Sequence, residues 1–352
     1  MNGKDHILIT GGAGFIGSNL AQRLVSMGER VMIYDSLARA GVETNLDRLR
    51  TMYPGRVKVT VGDIRDHDAL AGVVKGSRAV FHLAAQVAVT TSLEAPEEDF
   101  EVNCRSTVRL LELLRREGRI VPLVFASTNK VYGDLADVDL ELRDGAWKPA
   151  DDGLATLGVD ESRPLDFHTP YGCSKGAADQ YVLDYARHLK VPACVFRMSC
   201  IYGPNQMGTE EQGWVAHFLR SALRGVEITL YGDGRQVRDV LHVSDVVSAY
   251  IAAWRAMPAV SGQAFNLGGG PDNAVSLIQI LCQIELMTGR TIHLRHGQWR
   301  AGDQRWFVAD ARKARRTLGL GEPTPWQDGL ADLAAWLERS EARADNRVRA
   351  TA

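Results

Sequence analysis

No run in this sequence approaches the roughly 18 uninterrupted apolar residues that a membrane-spanning helix needs, so no span is expected. Charge of one sign is also lacking: 41 lysines and arginines stand against 43 aspartates and glutamates. So balanced a chain offers no broad surface for nucleic acid or anionic membrane. The five cysteines (Cys104, Cys173, Cys194, Cys200, Cys282) form no CxxC pair, and the nine histidines show no HExxH or paired spacing. The usual zinc patterns are thereby excluded, and no metal site is expected. The first residues carry no signal-peptide pattern. Scattered thiols without an export signal fit a reducing compartment, so a cytoplasmic location is the expectation.

What is present is an ordinary globular composition, 45% hydrophobic and 24% charged, on 352 residues. That length suits one large domain or two. Short β-branched runs recur at His6–Thr10, Arg30–Asp35, Lys58–Gly62, Ala79–Leu83, Leu123–Ser127 and Cys194–Ser199. They are apolar almost throughout, as strands are when helices cover both faces of a parallel sheet. Helical patterns lie between and after them at Phe15–Met27, Asp66–Val74, Phe100–Glu117 and Tyr171–Leu189. The alternation predicts an α/β fold with a Rossmann-type doubly wound parallel sheet. Beyond about residue 201 the pattern loosens into glycine-rich loops, with helices at Trp214–Leu223 and Leu277–Thr288 and strands at Glu227–Tyr231 and Thr291–Leu294. We therefore expect residues 1–200 to form the dinucleotide-binding domain, with segments near 235–265 returning to it. Residues 201–340 are expected to form mainly a smaller mixed α/β substrate domain, and the polar tail 341–352 to fray.

The run "ILITGGAGFIGSNL" places Gly11, Gly14 and Gly17 between a strand and a helix. Glycines allow a tight turn and a close approach to pyrophosphate, and the helix N-terminus that begins at Phe15 and Ile16 supplies N–H donors. Asp35 ends the second strand, 18 residues beyond Gly17, where a carboxylate accepts both ribose hydroxyls of NAD and repels a 2′-phosphate. An ordinary turn residue is the competing reading, and Arg39 nearby tempers the preference for NAD over NADP. Asp63 and Ile64 close the third strand, where they read adenine or serve only as loop residues.

In "PYGCSK", Tyr171 and Lys175 have i,i+4 spacing and share one helix face. A neighbouring ammonium and a cationic nicotinamide both favour phenolate, which makes Tyr171 a candidate base near neutral pH. A second cluster, "ASTNKVYGD" (Ala126–Asp134), offers Thr128, Lys130 and Tyr132 just past a strand.

The order of "TGGAGFIGSNL", "HLAAQ" (His82–Gln86), "PYGCSK", "YGDGRQVRDVLHVSD" and "RAGD" (Arg300–Asp303) resembles the extended short-chain dehydrogenases/reductases that modify nucleotide sugars. The resemblance runs from Ile7 to about Leu337. It implies NAD as cofactor and a catalytic group of Thr128, Tyr171 and Lys175, with Lys130 outside it and Tyr132 packed beneath the site. It implies that Leu83, Ala84, Ala85, Gln86 and Asn103 join the glycine turn, Asp35, Asp63 and Ile64 in holding the cofactor. Arg238 and Arg300 resemble arginines that grip a nucleotide diphosphate, a task suited to guanidinium forks. Solvated surface arginines are the plainer alternative. Gln86, Asn129, Gln206 and Gln212 are expected near the sugar or base. A homodimer formed through Phe100–Glu117 and Tyr171–Leu189 is also implied.

Members that dehydrate the sugar carry an acidic residue or acid pair directly after the serine or threonine. Here Asn129-Lys130 occupies that place. An amide cannot protonate a leaving group, and a lysine serves poorly unless its pKa falls strongly. Epimerisation needs no such acid. "STNKVYGDL", "LDFHTPYGCSKGAADQYVLDYAR", "QVAVTTS", "QGWV" and the 39-residue spacing from Tyr132 to Tyr171 resemble the CDP-paratose (CDP-tyvelose) 2-epimerase group. That implies a CDP-sugar substrate and a 2-keto intermediate. Epimerisation at C4, as with a UDP-sugar, and dehydration remain as alternatives.

Overall fold

A computed structural model describes residues 6–300 and 302–351, with those from 341 described by backbone alone. The predicted strands form close to their expected bounds: β1 His6–Thr10, β2 Val31–Asp35, β3 Val57–Val61, β4 Ser77–His82 and β5 Leu123–Thr128, followed by Ala193–Met198. A seventh strand, Ala264–Leu267, was not anticipated from the sequence; it adds to the far edge. The sheet order is Ala264–Leu267, Ala193–Met198, β5, β4, β1, β2, β3, and every pair is parallel.

Alternation along β1 sends Ile7 and Ile9 into one core and Leu8 into the other. The first core packs the helices Phe15–Ser26 and Val243–Arg255 on one face of the sheet, through residues such as Leu20, Leu24 and Tyr250. The second packs His67–Val74, Ser106–Arg116 and Thr169–His188 on the other face, through Leu70, Leu110 and Val182. Both faces are covered, which explains the apolar strands. β3 departs from this expectation: it is an edge strand, and Val61 at its end is 59% exposed. Strand order reverses between β1 and β4, so the loops leaving their C-terminal ends diverge and open a crevice.

The later residues build a second body. Val237–His242 pairs with Cys200–Tyr202, Ala274–Ser276 and Trp306–Phe307, while Ile228–Tyr231 pairs with Leu294–Gly297. The last of these strands starts later than expected, because the Ile292 amide is taken by the Glu285 carboxylate at 2.8 Å instead of a sheet partner. The helices Trp214–Arg224, Leu277–Thr288 and Trp326–Thr351 pack over this body around Phe218, Ile280 and Leu333. The backbone of the last helix continues to Thr351 where the sequence predicts a frayed tail; its alanines, arginines and glutamate favour helix. Ala352 lies outside the described residues. Among the described residues, no helix is long and apolar enough to cross a membrane.

Candidate active site

A cavity of about 750 Å³ opens at the C-terminal edge of the sheet. Its cofactor end is lined by Gly11, Gly14, Phe15, Ile16 and Gly17, by Asp35 and Asp63 with Ile64, and by Leu83, Ala84, Ala85 and Gln86. The first glycine turn is shaped by contact. Gly11 has φ +69°, and a Cβ there would lie 2.7 Å from the Ala84 nitrogen. A Cβ on Gly17 would lie 2.3 Å from the Gly11 carbonyl oxygen, so this glycine lets the helix seat on its own turn. The Asp35 carboxylate accepts the Ala13 and Leu37 amides, each at 2.9 Å, which fixes its plane at the mouth of the turn. The Asp63 carboxylate is instead gripped by the Arg65 guanidinium and amide, and that hydrogen bonding holds it below the usual carboxylate range. The turn, the helix N-terminus and the fixed carboxylate together suit a dinucleotide with a free ribose 2′-hydroxyl.

Asn103 does not line the cavity. It is buried in a π-helical turn, Glu101–Arg105, which interrupts the long helix expected over Phe100–Glu117. Its amide accepts the Gln86 N–H at 2.9 Å and donates to the Gln86 carbonyl at 3.0 Å. It thus holds the β4 loop from behind, and the extra residue in the π turn aims it there.

The catalytic residues named from the sequence meet at the centre of the cavity. Thr128 ends β5, while Tyr171 and Lys175 stand one turn apart on the helix Thr169–His188. The Thr128 hydroxyl stands beside the Tyr171 phenol and favours its ionised form, while it accepts the Lys130 amide at 3.2 Å and reaches the Asn129 amide oxygen at 3.4 Å. The Lys175 ammonium donates to the Ala126 carbonyl at 2.6 Å and sits 4.3 Å from the Phe125 ring centroid. Burial brings it down to about 8, while Asp179 and Asp99 pull it upward. Burial also pushes the Tyr171 phenol up to about 12, aided by Asp99 and opposed by the Thr128 hydroxyl. The sequence reading names two charges that favour phenolate, the ammonium and the cationic nicotinamide; within the protein alone, desolvation dominates.

Two buried aspartates that the sequence reading missed flank this pair. Asp99 accepts the Ser174 hydroxyl and, at 3.1 Å, the Asn103 amide. Asp179 follows Lys175 by one turn and makes a two-pronged pair with Arg197, at 3.0 Å on each prong, while accepting Ser127 at 2.8 Å. Their helical spacing, i−4 from Asn103 and i+4 from Lys175, was the available signal. Tyr132 lies beneath, 1% exposed, donating to the Asn266 amide oxygen at 2.7 Å and receiving a bond from Arg197 at 3.1 Å.

At the other end the cavity is lined by Met198 to Ile201, Gln206, Gln212 and Trp214. The side-chain oxygens of Gln206 and Gln212 are buried without a protein partner, open to donors from a ligand. Gln206 donates its amide N–H to the Ile201 carbonyl at 3.1 Å, which orients its oxygen. Three residues expected near the substrate stand back from the wall. Asn129 is buried and reaches the Gln304 amide oxygen at 3.5 Å; Arg238 is buried and paired with Asp303. Arg300 lies 3.9 Å above the Tyr231 ring and pairs with Glu211 at 3.0 Å. Charged residues joined across loops satisfy one another here, and sequence spacing carries no trace of such pairing.

Residues 7–268 match the model of the NAD dependent epimerase/dehydratase family. The chain is 39% identical to the CDP-paratose 2-epimerase of Salmonella typhi, over 94% of this chain and 98% of that protein. In structure it superposes on the UDP-glucose 4-epimerase of Thermotoga maritima, solved with UDP-glucose, with a TM-score of 0.81 at 29% identity over 95% of this chain and 99% of the other. The UDP-glucose 4-epimerase of Thermus thermophilus in complex with NAD gives a TM-score of 0.78, also at 29% identity and with the same coverage of each chain. Family model, full-length relatives and the cofactor end of the cavity agree: this chain is an enzyme that uses NAD and belongs to the NAD dependent epimerase/dehydratase family.

Proposed function

We propose that the enzyme epimerises C2 of a CDP-linked deoxyhexose, as in the conversion of CDP-paratose to CDP-tyvelose, through a 2-keto intermediate. The observation that carries this reading is the donor set at the centre of the cavity. Thr128 and Tyr171 present neighbouring hydroxyls there, and the turn that follows Thr128 contributes no carboxyl group. The similarity to a CDP-paratose 2-epimerase over almost the whole chain supports the CDP-sugar. Lys130 meets one condition for an acid, since burial brings it down to about 8, but its ammonium is turned to the Gly302 carbonyl at 2.8 Å and it does not line the cavity.

Bound NAD⁺ accepts a hydride from the sugar carbon and gives it back, and its positive ring favours ionisation of a nearby phenol. Tyr171 takes the proton of the sugar hydroxyl as the carbon loses its hydride, leaving a ketone. Thr128 accepts a hydrogen bond from the same sugar hydroxyl and orients its proton toward Tyr171. Lys175, fixed on the Ala126 carbonyl, holds positive charge beside the phenolate. Rotation of the keto-sugar presents its other face; the carbon regains hydride and Tyr171 returns the proton, so no net oxidation occurs. Gln206 and Gln212 accept hydroxyl or amino donors of the substrate. NMR of the product decides between carbons: inversion at C2 of CDP-paratose supports the reading, and inversion at C4 replaces it. Deuterium at C5 after turnover in D₂O would reveal dehydration chemistry.

A homodimer through the helices Ser106–Arg116 and Thr169–His188 is part of this proposal. Tyr181 is 48% exposed on the second of these helices, a large ring left to solvent in one copy. Light scattering at working concentration should give twice the 38.6 kDa chain mass. The five free thiols support a reducing, cytoplasmic setting.

A further inference from the structure

The two residues that stand where an acid pair would serve dehydration are tied into another structure. After Thr128, the turn Asn129–Tyr132 faces the segment 302–304. The Lys130 ammonium donates to the Gly302 carbonyl at 2.8 Å, and the Gln304 amide donates to the Gly133 carbonyl at 2.5 Å. Asn129 reaches the Gln304 amide oxygen at 3.5 Å, the long limit of a hydrogen bond. The same segment holds Arg238, whose guanidinium donates to Asp303 and to the Gln304 carbonyl. Gly302 also touches the start of the catalytic helix: its φ is +70°, and a Cβ there would lie 2.8 Å from the Thr169 methyl. Residues some 170 positions apart are thus joined within one turn of the reacting hydroxyls.

A lysine is a costly way to fill this space. Its charge is largely withdrawn from water and faces the like charge of Arg238, with Asp303 and Asp134 as the opposing carboxylates and the Cys200 thiol beside them. An apolar side chain would fill the volume without the desolvation cost, but would leave the Gly302 carbonyl without its donor. We propose that Lys130 is a positioning residue: by holding Gly302, it registers the 302–304 segment, and Arg238 with it, on the Thr128–Tyr171 pair. The substrate's diphosphate and its reacting hydroxyl are then gripped at a fixed separation, because one short turn anchors both. This rests on the assignment of Arg238 to the diphosphate that the family resemblance implies, which requires its buried guanidinium to exchange Asp303 for a phosphate oxygen.

The test measures CDP and UDP binding to the NAD-loaded enzyme by calorimetry. UDP is included because the tether acts on the diphosphate and is indifferent to the base. Lys130→Met should weaken the nucleotide that wild type binds by about ten- to hundredfold, the loss expected for one charged hydrogen bond, while NAD affinity stays unchanged. Lys130→Arg, which keeps a cationic donor within reach of the carbonyl, should recover most of the loss. Should the methionine variant not fold, Lys130→Gln, with a neutral donor, should show an intermediate loss. Wild-type nucleotide affinity in Lys130→Met, or in Lys130→Gln when it stands alone, overturns the tether, as does a parallel loss of NAD affinity. Arg238→Met separates the two layers. If it weakens nucleotide binding and Lys130→Met does not, only the tether falls. If Arg238→Met binds as wild type does, the diphosphate assignment falls and takes the tether with it.

Discussion

At its cofactor end the cavity is shaped by backbone, and at its substrate end by side chains that hold one another. Gly11 and Gly17 allow contacts that no Cβ would fit, and consecutive residues complete the turn. Behind the wall at the other end, Arg238, Asp303, Gln304 and Lys130 come from three distant segments and meet through hydrogen bonds. A backbone site is rigid and tolerates little change, whereas a side-chain site is assembled piecewise and can be altered one contact at a time. The pair proposed to handle the proton lies at the seam, with Thr128 on a sheet strand and Tyr171 at the start of a helix whose neighbour Thr169 touches the substrate-side segment.

The largest effect is expected at that seam. Tyr171→Phe removes the proton carrier and little else, so kcat should fall by about 10²- to 10⁴-fold while NAD stays bound. Steady-state kinetics with NAD occupancy measured by absorbance checks this, and unchanged turnover would remove Tyr171 from the mechanism. The cofactor half should be next in severity. Gly17→Ala places a methyl 2.3 Å from the Gly11 oxygen and 2.7 Å from the Gly12 Cα, both backbone atoms that cannot swing aside. A stability loss of about 1–3 kcal/mol is expected, with NAD affinity reduced as the turn shifts. Denaturant unfolding and NAD titration measure the two together. On the substrate side, Gln212→Leu removes a buried amide oxygen that lines the cavity without a protein partner, and should weaken CDP or UDP by about fivefold and leave NAD binding intact, as loss of a single neutral hydrogen bond would. Loss of both ligands there would erase the contrast between the halves.

The same contrast explains what could be read from the sequence. The glycine turn, Asp35 and the Tyr171–Lys175 pair are local patterns, separated by fixed spacings that backbone geometry demands. The strands β1 to β5 were legible because burial on both faces makes them continuously apolar. β3 was the exception in exposure, since nothing in "VKVTV" says that it lies at an edge. The strand Ala264–Leu267 is too short and glycine-flanked to stand out, and its place beside Ala193–Met198 is a tertiary fact. Asn129 illustrates the harder failure. Its position beside Thr128 pointed to the substrate, yet its amide is directed to Gln304, 175 residues away. The Ser127–Asp179–Arg197–Tyr132 network likewise depends on which strands become neighbours.

The finest test concerns the buried charge beneath the seam. Asp99 raises both the Tyr171 phenol and the Lys175 ammonium, whereas Asp179 raises Lys175 and is not among the groups that shift Tyr171. Burial raises the Asp99 carboxyl itself, while the Ser174 hydroxyl and Lys175 favour its ionised form. Asp99→Asn keeps an amide that can exchange hydrogen bonds with Ser174 and Asn103 but removes the negative charge. The phenol should then ionise at lower pH, because its charged form no longer faces a carboxylate. Catalysis by phenolate rises with pH, so the acidic limb of the kcat/KM profile should move toward lower pH with the plateau largely kept. Movement toward higher pH would mean that Asp99 serves chiefly to keep Lys175 charged, and that the lysine, not the phenol, governs the limb.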